Sequence, residues 1–237
     1  MSALLAPDPP APVFVLVAGA VLAVLAVTVP SLWRWTRALV TMAHEGGHAV
    51  AALTAGRRLA GIRLHSDTSG LTVSRGRPAG AGMVMTLLAG YPAPSVIGVL
   101  AALVIAWGRP SLAIAAAAAL LVVMLLAIRN VVGFVAVLVT AALLVGLSAY
   151  APPVTRSFVA HALVWVLLLG AVRAVGDLHA TRRRMPGPSS DADQLARLSG
   201  VPALLWVALF ALLSLAGLAA GGWLLVGVIA GPPSLPG

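Results

Sequence analysis

Cysteine is absent from this chain of 237 residues, and its absence limits the chemistry that the protein can perform. Without thiols there is no disulfide framework and no thiolate nucleophile. A zinc site built on cysteine sulfur is excluded for the same reason. Any bound metal ion must therefore be held by histidine nitrogen and carboxylate oxygen atoms.

Charged side chains are scarce. They make up 9% of the residues, against 61% hydrophobic residues, and the mean hydropathy is +1.05. Soluble globular domains contain roughly 25% charged residues, so most of this chain is expected to lie in lipid. Lysine is absent as well, because all 15 basic residues are arginine, against 6 acidic residues. In a membrane protein this excess reflects topology, since arginine accumulates in cytoplasmic loops, rather than nucleic-acid binding.

Long apolar stretches account for most of the sequence. A helix needs about 20 mainly apolar residues to cross a bilayer; six stretches reach this length, and a weaker seventh covers 35–55. We predict an all-α polytopic membrane protein with about six to seven transmembrane helices, forming a single domain over 1–237. The six stretches run approximately over 12–32, 80–107, 111–128, 131–150, 159–175 and 201–229.

Polar connectors predict the orientation and a small sheet. Residues 56–77 and 173–197 hold five arginines each, and placing both connectors in the cytoplasm puts the N-terminus there too. Residues 61–75 alternate apolar and polar side chains around a polar turn, which predicts a β-hairpin whose edge can pair with an extended peptide. A solvated loop is the alternative. Residues 174–200 are predicted to form a cytoplasmic loop that contains an amphipathic helix.

The apolar stretch over 80–107 is interrupted by Gly90-Tyr91-Pro92-Ala93-Pro94-Ser95. Prolines remove backbone donors, and membrane proteins tolerate such breaks where the freed groups face protein or water. The break is therefore expected either to line a cavity or to form a packing kink.

The single glutamate of the chain, Glu45, lies between two of its five histidines in His44-Glu45-Gly46-Gly47-His48. On a helix, residues i and i+4 share one face, so His44 and His48 can bind one zinc ion while Glu45 acts as general base. This pattern is typical of metal-dependent hydrolases, and interior histidines with ordinary hydrogen bonds are the alternative. Gly46 and Gly47 each weaken a helix by about 1 kcal/mol, and we expect them to let a neighbouring helix approach the metal.

A catalytic zinc commonly has three protein ligands and a water molecule. Asp177 is favoured as the third ligand, because it ends an apolar span at the depth of His48, although it could instead pair with Arg173 at i, i+4. Asp191 is the second candidate, although the helix dipole favours an acidic residue at its position regardless of metal. The remaining candidates are His65, His161, His179, Asp8, Asp67 and Asp193.

Arg129-Asn130 interrupts the apolar run between two spans. The Asn130 amide is a candidate donor to the oxyanion of a tetrahedral intermediate, since a carbonyl under attack by hydroxide needs such stabilisation. Alternatively, the pair marks a loop at the membrane interface.

The chain resembles intramembrane zinc metalloproteases of the site-2 protease family, in its compact branch without a PDZ domain. The resemblance covers 44–206 and depends on the order of several short motifs. These are His44-Glu45-Gly46-Gly47-His48-Ala49, Asp67-Thr68-Ser69-Gly70-Leu71-Thr72, Ala89-Gly90-Tyr91, Arg129-Asn130, Gly176-Asp177-Leu178 and Ser190-Asp191-Ala192.

The resemblance implies proteolysis of a membrane-spanning substrate within a lipid bilayer, most simply the bacterial plasma membrane. It implies zinc held by His44, His48 and an aspartate, with Glu45 activating the zinc-bound water. The rival interpretation is a non-enzymatic membrane protein, such as a metal transporter, an assembly factor or a pseudoprotease that binds helices without cutting them.

Overall fold

The structure is a computed structural model that describes residues 7–184 and 190–230. These residues form nine helices and one two-stranded sheet. In chain order the elements are α1 (Val13–Thr28), α2 (Pro30–Thr54), β1 (Arg58–Leu64), β2 (Gly70–Arg75), α3 (Ala81–Ala89), α4 (Ala93–Ala106), α5 (Pro110–Leu125), α6 (Val131–Tyr150), α7 (Pro153–Arg184), α8 (Asp191–Ser199) and α9 (Ala203–Ala230).

The predicted fold class, an all-α polytopic membrane protein with a small hairpin, is confirmed. Within the described ranges, three helices (α6, α7 and α9) are long and apolar enough to cross a membrane. Up to five spans result if the bent pairs α1–α2 and α3–α4 each count as one. The count is lower than the six to seven predicted from hydropathy, because α5, with 16 residues, is a shorter apolar helix and because two of the apolar stretches bend.

Proline explains both bends. Pro30 restricts Val29 to extended backbone (φ −77°, ψ 120°), so α1 ends and α2 begins at an angle of 101°. The predicted break near Gly90 is also present, since α3 ends at Ala89, α4 begins at Ala93, and the two helices meet at 62°. Helix α2, which carries the His-Glu motif, therefore starts at a fixed point.

Helix α7 extends further than the sequence predicted. It continues through 174–184, the first part of the predicted loop over 174–200, and ends in three arginines that complement the helix dipole. The amphipathic helix expected in that loop is α8, and it buries Ala192 and Leu195 against α3, α7 and α9. Residues 185–189 of the predicted loop lie outside the described residues, as do 1–6 and 231–237 of the predicted domain.

The hairpin packs against the motif helix. Strands β1 and β2 are antiparallel, with Arg58 opposite Arg75 and Leu64 opposite Gly70, close to the predicted range of 61–75. Ile62 and Leu64 are buried in one apolar cluster with Met42 of α2. This burial fixes the sheet beside α2.

The outer edge of β1 is occupied by the segment between α5 and α6. Ile62 donates its backbone N–H to the Ala127 carbonyl (2.8 Å) and accepts one from Arg129 (2.9 Å). The bridge is parallel. Since β1 is paired on both sides, β2 holds the unpaired edge within the described sheet.

Asn130 extends this pairing with its side chain. The Leu64 N–H donates to Asn130 Oδ1 (3.2 Å), and Asn130 Nδ2 donates to the Leu64 carbonyl (2.7 Å). The amide thus imitates one residue of a neighbouring strand. The sequence predicted Asn130 as an oxyanion donor; the structure instead engages its oxygen and one of its two N–H groups with Leu64, and the oxyanion role stays a prediction.

We expect Asn130→Ala to lower the free energy of unfolding by about 1–3 kcal/mol, because it leaves two backbone groups of Leu64 without partners. The measurement is denaturant unfolding of the protein in detergent. Asn130→Asp keeps the acceptor for the Leu64 N–H, so it should lower the free energy of unfolding by less than Asn130→Ala does. If Asn130→Ala leaves the stability unchanged but greatly reduces turnover, the result would support the predicted oxyanion role of Asn130.

Candidate metal centre

His44 and His48 lie one turn apart on α2 and aim their Nε2 atoms at the same point, 3.0 Å from each other. His48 is buried, and its Nδ1–H donates to the Thr86 carbonyl at 2.7 Å. Thr86 lies in the last turn of α3, where carbonyls lack helical partners. This hydrogen bond fixes the tautomer of His48 and leaves the Nε2 lone pair free for a ligand.

Asp191 is the third member of the group. Its Oδ2 lies 3.3 Å from His44 Nε2 and 3.2 Å from His48 Nε2. Among the described residues these three side chains form the one group whose ligand atoms lie close enough together, all within 4.8 Å, to hold a metal ion. Burial raises the pKa of the Asp191 carboxyl, but hydrogen bonds from His44 and His48 outweigh it and hold that pKa well below its ordinary value.

The start of α8 is set by local hydrogen bonds. The Ser190 hydroxyl caps the helix by accepting the Asp193 N–H (3.2 Å), and it donates to the Asp193 carboxylate (2.5 Å). Arg182 of α7 donates from Nη2 to the same carboxylate at 2.7 Å. Because these contacts fix both the helix start and its link to α7, Asp191 at the first helical position has a defined direction.

The spacing of the three ligand atoms fits zinc. A tetrahedral ion with bonds of about 2.0–2.1 Å separates neighbouring ligands by about 3.3 Å. The three separations here are 3.0, 3.3 and 3.2 Å. Two histidine nitrogens and one carboxylate oxygen are also a donor set that zinc uses in catalytic sites.

Glu45 is buried beside the three ligand atoms but does not belong to their group. Its Oε2 accepts a hydrogen bond from the Thr72 hydroxyl at 2.6 Å. Gly70 makes room for it, since a β-carbon there would lie 2.5 Å from Glu45 Oε1. A carboxylate held next to a metal site without ligating it is placed to accept a proton.

Glycines permit the close approach of backbone to this site. A β-carbon at Gly90 would collide with Nε2 and Cε1 of His48, so the turn between α3 and α4 can contact the imidazoles only because residue 90 has no side chain. A β-carbon at Gly47 would lie 2.7 Å from the Ala89 carbonyl oxygen. The predicted helix approach is therefore made at Gly47, whereas Gly46 has no neighbour within 4 Å of such a carbon.

Asp177, predicted as the third ligand, is not part of this group. Its Oδ2 accepts a hydrogen bond from the Trp33 indole at 2.9 Å. Trp33 lies three turns before His44 on α2, about 16 Å along the axis. The prediction from membrane depth was wrong because α7 packs against the N-terminal half of α2, where Asp177 contacts Trp33. The residue that contacts the imidazoles comes from α8 instead.

The other candidate ligands have their own contacts. Asp193 pairs with Arg182, and Asp67 accepts from the hydroxyl and N–H of Ser69 in the hairpin turn. The remaining hydrogen bonds join Asp8 to Ser111, His65 to the Ser69 hydroxyl and His161 to the Ser157 carbonyl.

Tyr91 and Thr72 contribute to the site in ways that the sequence reasoning missed. The Tyr91 ring meets His44 edge-on, with centroids 4.7 Å apart, and stacks on Phe210 of α9 at 4.9 Å. Tyr91 and Thr72 both belong to the short motifs named in the sequence analysis. Their roles depend on contacts with residues that are distant in sequence. The alternation of β2 was the one signal available for Thr72, since it separates the two faces of the strand.

His44 and Glu45 open onto a cavity of about 600 Å³ between α2, α7 and the hairpin turn. Gly70 and Tyr91 also line it. The cavity is large enough to admit a segment of polypeptide to the group of ligand atoms.

The chain matches a known protein family. The family model described as Peptidase M50B-like matches residues 17–221, a range that includes the His-Glu motif, the hairpin and α8. No curated protein and no solved structure matches the chain significantly.

Gly90→Ala should weaken zinc binding about 10- to 100-fold, the usual effect of disturbing the groups around metal ligands. The backbone at Gly90 is helical (φ −61°, ψ −63°), so alanine is strained only by the collision with His48. Zinc affinity is measured by competition with a chelator. Gly46→Ala is the matched control and should retain the affinity; equal loss in both variants would contradict the steric argument.

Asp191→Asn should weaken zinc binding by about 100-fold or more, because one of three protein ligands is lost. Asp177→Asn should leave zinc binding unchanged, since asparagine still accepts the hydrogen bond from Trp33. Both variants are compared by metal content after dialysis. The opposite pattern would return the ligand role to Asp177.

Proposed function

Because the chain belongs to the Peptidase M50B-like family, which is site-2 protease-like, we propose that it is an intramembrane zinc metalloprotease. It hydrolyses peptide bonds in or near the transmembrane helices of other membrane proteins. The apolar helices of the fold are those of an integral membrane protein. The proposed membrane is the bacterial plasma membrane, with the N-terminus in the cytoplasm as the arginine connectors predict.

One observation supports the proposal most strongly. His44, His48 and Asp191 present three ligand atoms at the spacing of a zinc site, while Glu45 lies beside them without joining the group. A site used only to store or carry a metal has no need of a carboxylate that is kept out of coordination. A hydrolase needs such a group as its base.

The division of roles follows from the contacts. Zinc, when bound by His44, His48 and Asp191, would lower the pKa of water toward neutrality and polarise the substrate carbonyl. Glu45 accepts the proton of the attacking water and then delivers it to the leaving nitrogen. The Thr72 hydroxyl, 2.6 Å from Glu45 Oε2, keeps the carboxylate in one orientation during both transfers. The Thr86 carbonyl orients His48.

The substrate must be extended at the bond that is cut, because a helix keeps its own carbonyls hydrogen-bonded. The unpaired edge of β2 begins at Gly70, next to Glu45, and can pair with an extended segment of substrate. Tyr91 of the break between α3 and α4 and Pro94 at the start of α4 line the cavity that holds His44 and Glu45, and we propose that water reaches the site through this cavity.

Glu45→Gln should abolish cleavage, by at least about 100-fold, because the amide cannot accept the proton. It should retain zinc, since Glu45 is not among the three ligand atoms. The measurements are metal content and cleavage of membrane-protein substrates by the zinc-loaded protein in detergent. Asp8→Asn, a change of equal charge next to the start of α5 and outside the cavity, is the control and should remain active.

Two results would contradict the hypothesis that the protein is an enzyme. Full activity of Glu45→Gln in cells would show that the carboxylate is not the base. Zinc-loaded protein that binds transmembrane helices but cuts none of them would indicate a pseudoprotease.

A further inference from the structure

We propose that the cavity beside the metal centre selects substrates that carry acidic side chains a few residues from the scissile bond, through the arginines in its wall. The inference rests on the proposed proteolytic function and specifies its substrate. Four arginines line the same cavity as His44 and Glu45: Arg34, Arg37, Arg173 and Arg184.

These arginines are not neutralised by the protein. No ion pair joins any of the four to a carboxylate within 7–184 and 190–230. Arg173 donates to the Val27 carbonyl and stacks on Trp33 at 4.9 Å, whereas Arg37 and Arg184 form neither hydrogen bonds nor ion pairs with described residues. With respect to the described residues, the guanidinium groups of Arg37 and Arg184 are therefore available to an incoming anion.

Among the described residues, none of the three carboxylates in the cavity wall forms an ion pair with an arginine. Each accepts hydrogen bonds from a neutral donor: Glu45 from Thr72, Asp67 from Ser69 and Asp177 from Trp33. The segments 1–6, 185–189 and 231–237 contain no Asp or Glu that could supply a counter-charge. The wall of the cavity therefore holds four arginines against three carboxylates, an excess of one positive charge that an entering anion can neutralise.

Spacing along α2 gives the register. Arg37 precedes His44 by two turns on the same face, about 10 Å along the axis, and Arg34 precedes Glu45 by three turns, about 16 Å. An extended peptide advances about 3.3 Å per residue. A substrate cut at the metal centre therefore brings its side chains to Arg37 and Arg34 about three and five residues from the scissile bond.

The hairpin gives the direction. Thr41 of α2 donates to the Thr68 carbonyl, and Thr72 donates to Glu45, so β2 advances in the same direction as α2. A substrate strand antiparallel to β2, the commoner pairing, then runs from the metal centre toward Arg37. The residues near the arginines are those that follow the scissile bond.

A peptide fits this cavity better than an anionic lipid headgroup does. The wall of the cavity includes Gly70 at the start of β2 and the proposed general base Glu45. The backbone of a substrate must therefore occupy the cavity during cleavage. An acidic side chain on that same backbone reaches the arginines without any second ligand.

The test is a proteome-derived peptide library, dissolved in detergent and incubated with the zinc-loaded full-length protein. Mass spectrometry identifies the cleaved bonds. Asp and Glu should be enriched about threefold to tenfold at the third to fifth residues after the cut. Arg37→Glu should remove this enrichment and favour Lys and Arg at the same positions. Arg34→Glu, at an exposed site, is a second variant should Arg37→Glu fail to fold.

Arg183→Glu is the matched control, since Arg183 is exposed and does not line the cavity, and it should keep the preference for acidic residues. Cleavage without acidic enrichment overturns this inference and leaves the proposed function intact. Absence of any cleavage above the Glu45→Gln background overturns the function as well. A lipid is the ligand instead if acidic enrichment is absent and Arg37→Glu changes only the stimulation of cleavage by phosphatidylglycerol added to phosphatidylcholine vesicles.

Discussion

The site depends on the convergence of Asp191 Oδ2 with the Nε2 atoms of His44 and His48. Three atoms with lone pairs, 3.0 to 3.3 Å apart, repel one another unless a proton or a metal ion lies among them. Such an arrangement is stable only when a cation is shared and the partners are fixed independently. The structure provides that fixation through the Ser190 N-cap of α8 and the Thr86 carbonyl.

Glycines and interrupted helices determine how closely neighbouring elements approach the three ligand atoms and Glu45. Gly90 brings the α3–α4 turn onto the imidazoles, and Gly70 brings β2 onto Glu45. The end of α3 also frees the carbonyl that orients His48. Gly70, Gly90 and the end of α3 therefore lie where the backbone itself contributes to the site. Elsewhere the bundle is held by packing of apolar side chains, as in the cluster that joins α4, α5, α7 and α9.

Few of the arginines in this chain are paired with carboxylates. One of its six carboxylates, Asp193, pairs with an arginine in the described residues, and the others are held by neutral donors or by the imidazoles. An excess of arginine that sequence reasoning assigned to topology thus also leaves a cationic cavity beside the metal centre. The two interpretations are compatible, because the same side chains can orient the protein in the membrane and attract an anionic segment.

Local patterns in the sequence were enough to predict the membrane class, the helix that carries His44, Glu45 and His48, the break at Gly90 and, with a solvated loop as the alternative, the hairpin. All of these follow from hydropathy or from periodicity over a few neighbouring residues, which are local properties of the chain. The sequence did not determine the number of spans, because hydropathy does not distinguish a straight helix from one bent at Pro30. The convergence of Asp191, rather than Asp177, on the imidazoles and the contact of Asn130 with Leu64 were decided by the tertiary structure alone. Each depends on which face of one helix or strand packs against another, and contacts between residues more than sixty positions apart leave no periodic signal in a single sequence.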